Sequence, residues 1–210
     1  MRVVSGIILA GGKSQRLGVD KALLELEGQS LIDRVLNRLQ RLSDDLIIVA
    51  KDPTPYAHLA ARLVSDVYPG QGALVGLHAG LQAARHPLAL AVACDMPFLD
   101  LRLLRYMIVL GRGYDIVVPR IGSYLEPLHA LYRVERCLPA IKQALDDGQA
   151  RVTSFFSHVR VRYVEEHEIN LFDPEHLSFF NINTPEDWQR GQELARQLRS
   201  RKPSRRRKEP

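Results

Sequence analysis

The stretch VVSGIILAGGKSQRLGVDK, from Val3 to Lys21, constrains this chain more than any other. Five apolar residues (Val3, Val4, Ile7, Ile8, Leu9) lead into Gly11-Gly12, and cations follow at Lys13, Arg16 and Lys21. The run is β-branched and uncharged, as suits the first strand of a parallel sheet buried on both faces. Paired glycines then let the backbone turn sharply and bring its N–H groups close to a ligand with no Cβ in the way. Three positive side chains about such a turn suit a polyphosphate, whose several charges no single side chain balances. Two familiar phosphate loops are excluded. The GxxxxGK[ST] pattern needs glycine at position 7, where Ile7 stands, and GxGxxG fails because Gly11 and Gly12 are adjacent with no correctly spaced third glycine. The alternative is a plain strand-to-loop turn whose cations face water.

At 210 residues the chain reads as one domain able to bury a substantial core. Its hydrophobic fraction of 46% and charged fraction of 25% are those of an ordinary globular protein. No apolar run approaches the roughly 20 residues of a membrane span, and the short apolar start reads as a strand rather than a signal peptide. Cys94 and Cys137 form neither a disulfide framework nor a metal-ligand pair by spacing, so a reduced, cytoplasmic setting is expected. Net charge is +5, yet residues 196–210 alone contribute +7 from eight basic groups and Glu209, leaving −2 for the rest. The basic character belongs to the tail, so the body offers no specific nucleic-acid surface and no membrane contact. The expected division is a folded domain over residues 1–198 and a disordered basic tail over 199–210.

Strand-like and helix-like segments alternate along the body, which predicts an α/β fold with a mostly parallel sheet. Helices are expected at 31–42, with Ser30 as the cap, and at 73–85, 100–110 and 134–145, with a short one at 53–62. Strands are expected at 46–50, 63–67, 88–94, 114–119 and 128–132. Val159–Val164 alternates and is the candidate antiparallel or edge strand. Thr184-Pro185-Glu186-Asp187 opens the last helix, with a cap, a proline at the first helical position and acids in the first turn.

In a parallel α/β sheet, ligands gather beyond the carboxyl ends of the strands. Asp95 stands at such an end, after the apolar run LALAVAC. A carboxylate there either caps the turn that follows or meets a positive charge, and a magnesium ion bridging phosphate oxygens would supply one. Cys94 has no activating base nearby and reads as core. His129, a residue type that titrates near neutrality, reads as structural or substrate-contacting. Asn181 and Asn183 flank Ile182, so from an extended segment both point to one side. There they either bind a ligand or fix the turn before the last helix.

Five motifs occur in order: LAGGKSQRLGVDK (9–21), Asp66 with YPGQGALVGLHAGL (68–81), ACDMPFL (93–99), EPLHALY (126–132) and FNINTPED (180–187). Together they resemble the molybdenum cofactor guanylyltransferases, within the wider group of sugar-nucleotide-type nucleotidyltransferases. The resemblance implies a three-layer α/β/α, Rossmann-like nucleotide-diphospho-sugar transferase fold, mostly parallel with an antiparallel element. It implies transfer of GMP from GTP to molybdenum-molybdopterin with release of pyrophosphate. Magnesium would be the cofactor, GTP and molybdopterin the partners, and molybdoenzymes or their chaperones further partners.

By the same resemblance the backbone of Leu9, Ala10, Gly11 and Gly12 holds the nucleotide. Lys13, Arg16 and Lys21 meet its phosphates, Asp66 contacts it, and Asp95 both contacts it and holds the metal. Asn181 and Asn183 face the acceptor. Catalysis falls to Arg16, Lys21 and Asp95. Guanine as the base rests on LAGG and on GALVG; an asparagine common after the second strand is replaced here by Val49-Ala50-Lys51. A cytidylyl- or sugar-phosphate nucleotidyltransferase and a non-catalytic molybdopterin carrier are the alternatives. The retained Arg16, Lys21 and Asp95 argue against the carrier.

Overall fold

The structure, a computed structural model, describes residues 4–10, 20–65 and 72–200. Along the chain come β1 (Val4–Leu9), a small hairpin of β2 (Glu25–Leu26) and β3 (Gln29–Ser30), α1 (Leu31–Leu39), β4 (Asp45–Val49) and β5 (Arg62–Val64). Then follow α2 (Ala73–Ala83), β6 (Leu88–Ala93), α3 (Leu101–Leu110), β7 (Ile116–Ile121), β8 (Tyr124–Leu125) and β9 (His129–Arg133). α4 (Val134–Asp146), β10 (Val161–Glu165), α5 (Glu166–Ile169) and α6 (Pro185–Ser200) complete it.

Among the described residues the main sheet has eight strands in the order β10-β7-β9-β6-β1-β4-β5, with β8 paired to β7. β1 lies between β4 and β6, parallel to both, and every one of its residues is buried. Its alternation sends Val4 and Ile8 to one face, where they pack with Val35 and Leu39 of α1 and Leu103 and Met107 of α3. Ile7 and Leu9 go to the other face, against Leu74 and Leu77 of α2 and Ile141 of α4. Three layers result, α/β/α, as expected. Ile7 and Ile8 are both fully buried, and burial of each such side chain contributes about 1.5–3 kcal/mol.

Two glycines set how closely α2 seats on this sheet. A Cβ at Gly80 would lie 2.5 Å from Ile7 Cγ2, so the helix can approach β1 only with glycine there. Gly72, at the N-cap of α2, has φ of 131°, a conformation that L side chains rarely adopt. Ser30 caps α1 by accepting the Asp33 N–H, and Asp100 caps α3 through the N–H groups of Arg102 and Leu103. A third apolar cluster, with Leu26, Leu31, Phe98, Ile182 and Leu194, ties α6 to the small hairpin and to the segment after β6.

Two expectations change, and one open alternative is resolved. The helix at 53–62 is a single 3-10 turn, Thr54–Tyr56, and the chain is already extended at Arg62, the first residue of β5. β10 is an edge strand, one of the two readings its alternation allowed, and it runs parallel to β7. The reversed strand is β9, antiparallel to both β6 and β7. From β7 the chain returns to β9 in a few residues, too short for the crossover a parallel pair needs; β9 carries it back to the edge where β7 began, and β10 starts from that edge after α4, parallel to β7. The other change is that α6 runs through Ser200, across the expected boundary at 198/199, and Arg199 pairs with Glu27 at 3.3 Å. Residues 201–210 lie outside the described residues. Among the described residues no helix is long and apolar enough to cross a membrane.

Candidate active site

The carboxyl ends of β1, β4 and β6 are held level by backbone bonds just beyond the strands. Cys94 donates its N–H to the Leu9 carbonyl at 3.1 Å, and Ala10 donates to Val49 at 2.8 Å. Both groups are therefore committed within the sheet, which narrows what Leu9 and Ala10 can offer a nucleotide. Asp95 follows on this edge. Its backbone carbonyl accepts the Ile182 N–H at 3.1 Å, which draws the FNINTP segment across the end of β6.

Lys21 enters from the other side. It begins a short 3-10 turn (Lys21–Leu23) capped by Asp20, whose Oδ1 accepts the Ala22 N–H at 3.0 Å. Asp20 Oδ2 accepts a hydrogen bond from Tyr56 Oη at 2.6 Å, and Tyr56 is only 2% exposed. Burial, and then the Asp20 carboxylate beside it, push the Tyr56 hydroxyl far above the usual tyrosine range, so it stays a donor. With its backbone braced in this way, Lys21 places Nζ 2.5 Å from Asn183 Oδ1 and 3.6 Å from Asp95 Oδ2. An ammonium has three donors; Asn183 takes one, and the contact with Asp95 is an ion pair too long for a hydrogen bond.

Burial pushes the Asp95 carboxyl up from its ordinary value, and the Lys21 charge only partly opposes this. Its Oδ1 is buried and has no hydrogen-bond partner among the described residues. A desolvated, unpartnered carboxylate oxygen beside a cationic side chain fits one ligand of a hard divalent cation. Among the described residues no group of three or more His, Cys, Asp or Glu surrounds it. A magnesium ion held here would take its other ligands from phosphate oxygens and water, as this ion commonly does.

The structure thus brings together Lys21, Asp95 and Asn183, with Leu9 and Ala10 at the adjoining strand end. Asn181 does not join them: its amide nitrogen donates to the Phe179 carbonyl at 3.0 Å, within its own segment. Gly11, Gly12, Lys13, Arg16 and Asp66 lie outside the described residues. His129 is fully buried beneath the Phe179 ring, 4.8 Å between centroids, and both ring nitrogens lack partners among the described residues. Burial pushes it down to about 4, so it is neutral near pH 7 and serves the core, one of the two readings its sequence allowed. Cys94 is buried and its thiol is pushed far up by that burial, which leaves it a core residue. Asp20 and Tyr56 were not legible as site residues. Asp20 adjoins Lys21 in the motif, but its bond to Tyr56 spans 36 residues with no local signal.

The strand order, and a site on the carboxyl edge of β1 and β6, are those of the nucleotidyltransferases of the nucleotide-diphospho-sugar transferase fold. The chain belongs to the family of the MobA-like NTP transferase domain, whose model matches residues 6–162. It is 39% identical over 200 residues to a probable molybdenum cofactor guanylyltransferase of Pelotomaculum thermopropionicum, covering 95% of this chain and 97% of that one. It is also 39% identical to a molybdenum cofactor guanylyltransferase of Desulfosudis oleivorans, covering 91% and 96%. Among solved structures, molybdopterin-guanine dinucleotide biosynthesis protein A from Archaeoglobus fulgidus superposes with a TM-score of 0.80 at 28% identity, covering 92% of this chain and 100% of that one. A 2-C-methyl-D-erythritol 4-phosphate cytidylyltransferase from Thermus thermophilus shares the fold, with a TM-score of 0.70 at 18% identity over 93% and 100% of the two chains.

Proposed function

We propose that this protein transfers GMP from GTP to the terminal phosphate of molybdopterin carrying molybdenum, in the cytoplasm, and releases pyrophosphate. The observation that carries the reaction class is the meeting of Lys21, Asn183 and Asp95, with its unpartnered Oδ1, on the ligand edge of the sheet. The choice of guanine and of molybdopterin is supported by the names of the relatives. An acceptor phosphate oxygen forms the new bond to the α-phosphorus, and the bond from that phosphorus to the α,β-bridging oxygen breaks. The acceptor is already an anion near neutrality, so no proton has to be removed, and a neutral, buried His129 is no handicap.

The task is to hold two anions together and to support charge on the departing pyrophosphate. Lys21 donates to the triphosphate, held in register by Asn183 and by the Asp20–Tyr56 brace. Arg16 and Lys13 add positive charge from the loop, and Gly11 and Gly12 let its backbone approach the phosphates. Asp66 contacts the nucleoside and Asn181 the acceptor. Asp95 is the protein ligand of magnesium, which when bound supplies positive charge to the phosphate oxygens. The test supplies the protein with molybdenum-molybdopterin, magnesium and each of GTP, CTP, ATP and UTP, and follows pyrophosphate. Release with GTP above all others is expected; a preference for CTP, or no release with this acceptor, refutes this reading.

A further inference from the structure

The ligand edge has a second half, beyond β6, formed by β9, β7 and β10. β9 runs opposite to β6, with His129 paired to Val92, and the Leu128 carbonyl accepts the Ala93 N–H at 2.9 Å. The residues just before β9 therefore lie past the end of β6, on the edge where Asp95 emerges. Glu126 is there. Its backbone is fixed, donating to the Pro119 carbonyl at 3.1 Å and accepting from the His129 N–H at 3.0 Å.

The carboxylates around it are engaged. Glu165 pairs with Arg120 at 2.6 Å, Glu168 with Arg162 at 2.6 Å and with Tyr106, and Glu166 receives the Gly122 N–H at 3.3 Å. Glu126 is half-buried and has no hydrogen-bond or ion-pair partner among the described residues. Burial alone pushes its carboxyl up. A carboxylate partly withdrawn from water without a partner is costly unless a ligand supplies donors.

We propose that Glu126 is a specificity-determining residue for the acceptor, its two oxygens receiving the paired N–H donors of the pterin's amino-pyrimidinone edge. This rests on the guanylyl-transfer reading. Guanine carries a similar donor pair, but β1, whose end leads into the glycine motif, and β4 and β5 lie on the far side of β6 from Glu126. A metal is a poorer occupant, because the described residues bring no third ligating side chain alongside.

The experiment compares the full-length wild type with Glu126→Gln and Glu126→Ala. The probes are a pterin with a phosphorylated 6-side chain and its lumazine counterpart, in which a carbonyl replaces the 2-amino group. Binding is read by ligand fluorescence without GTP, and GTP affinity by calorimetry. The wild type should favour the pterin by about 10-fold or more, as a charge-assisted donor pair implies. Gln, which both donates and accepts, should bring the two ligands within about 3-fold of each other, and GTP affinity should not change. An undiminished preference in both variants, or a loss confined to GTP, overturns the assignment. If the wild type turns over GTP yet does not distinguish the probes, Glu126 alone is refuted. If it binds neither probe and does not turn over GTP, the guanylyl-transfer reading falls first and this assignment with it.

Discussion

The Lys21–Asp95 contact allows a quantitative test that needs no substrate. The two charges stand 3.6 Å apart with side chains 18% and 19% exposed. At that separation unit charges attract by about 4–5 kcal/mol at an effective dielectric near 20, and by about 1 kcal/mol in water. A mostly buried pair that keeps some contact with solvent falls between, so a coupling of about 1–4 kcal/mol is expected. Lys21→Met leaves Asp95 ionised, buried and without its cation, and should lose stability of that order. Asp95→Asn should cost little or even stabilise, because it removes a carboxylate that burial already disfavours. The double variant should then lose less than the sum of the single losses, by the coupling. Asp95 has a raised value in the fold, so its ionised form opposes folding above the unfolded aspartate range, and the penalty disappears below it. The Lys21→Met loss should therefore shrink as the pH falls from neutrality towards the ordinary aspartate value. Urea unfolding in chelator, without nucleotide, measures each corner of the cycle. Additivity to within about 0.5 kcal/mol, or a loss that grows in acid, would refute the reasoning.

Two further outcomes concern buried polar groups. Asp45, at the start of β4 and 5% exposed, accepts from Ser5 Oγ at 2.6 Å, the Arg85 N–H at 2.9 Å and Arg62 Nη2 at 2.5 Å. Burial pushes its carboxyl up, but the bonds from Ser5, Arg85 and Arg62 outweigh this and hold it below the ordinary value. Asp45→Ala should lose about 3–5 kcal/mol near pH 7, and the difference should fade as pH drops below the ordinary aspartate range and through the lower folded value. A constant difference from neutrality to acid, followed by denaturant titration, would contradict it. His129→Leu should keep turnover within a few-fold and leave stability equal or higher, since it removes two unpartnered buried nitrogens. A loss of 10²-fold or more, the size of a general-base contribution, would show that His129 acts chemically.

The part of this protein legible from sequence is the part set by local pattern. Val4 to Leu9 is apolar on both faces because neighbours cover both sides of a central strand, and the run says so by itself. Ser30 and Asp100 announce helix starts because the capping bond closes within a few residues. Asp95 is marked by its place after the most apolar run in the chain, and Lys21 by its distance from two glycines.

What the sequence could not disclose depends on contacts between distant residues. The reversal fell on β9 and not on β10 because a short return forces antiparallel pairing, and loop length decides that only once both strands are placed. The three site residues that meet come from positions 21, 95 and 183, and the brace on Lys21 comes from Tyr56. Of two asparagines on one side of an extended segment, only Asn183 reaches Lys21, since Asn181 bonds to its own backbone. That Glu126 has no partner among the described residues is also a tertiary fact, because it appears only when distant segments have been brought together. Local periodicity and capping determined the elements, and desolvation in the assembled fold decided which of their charges are left to meet a ligand.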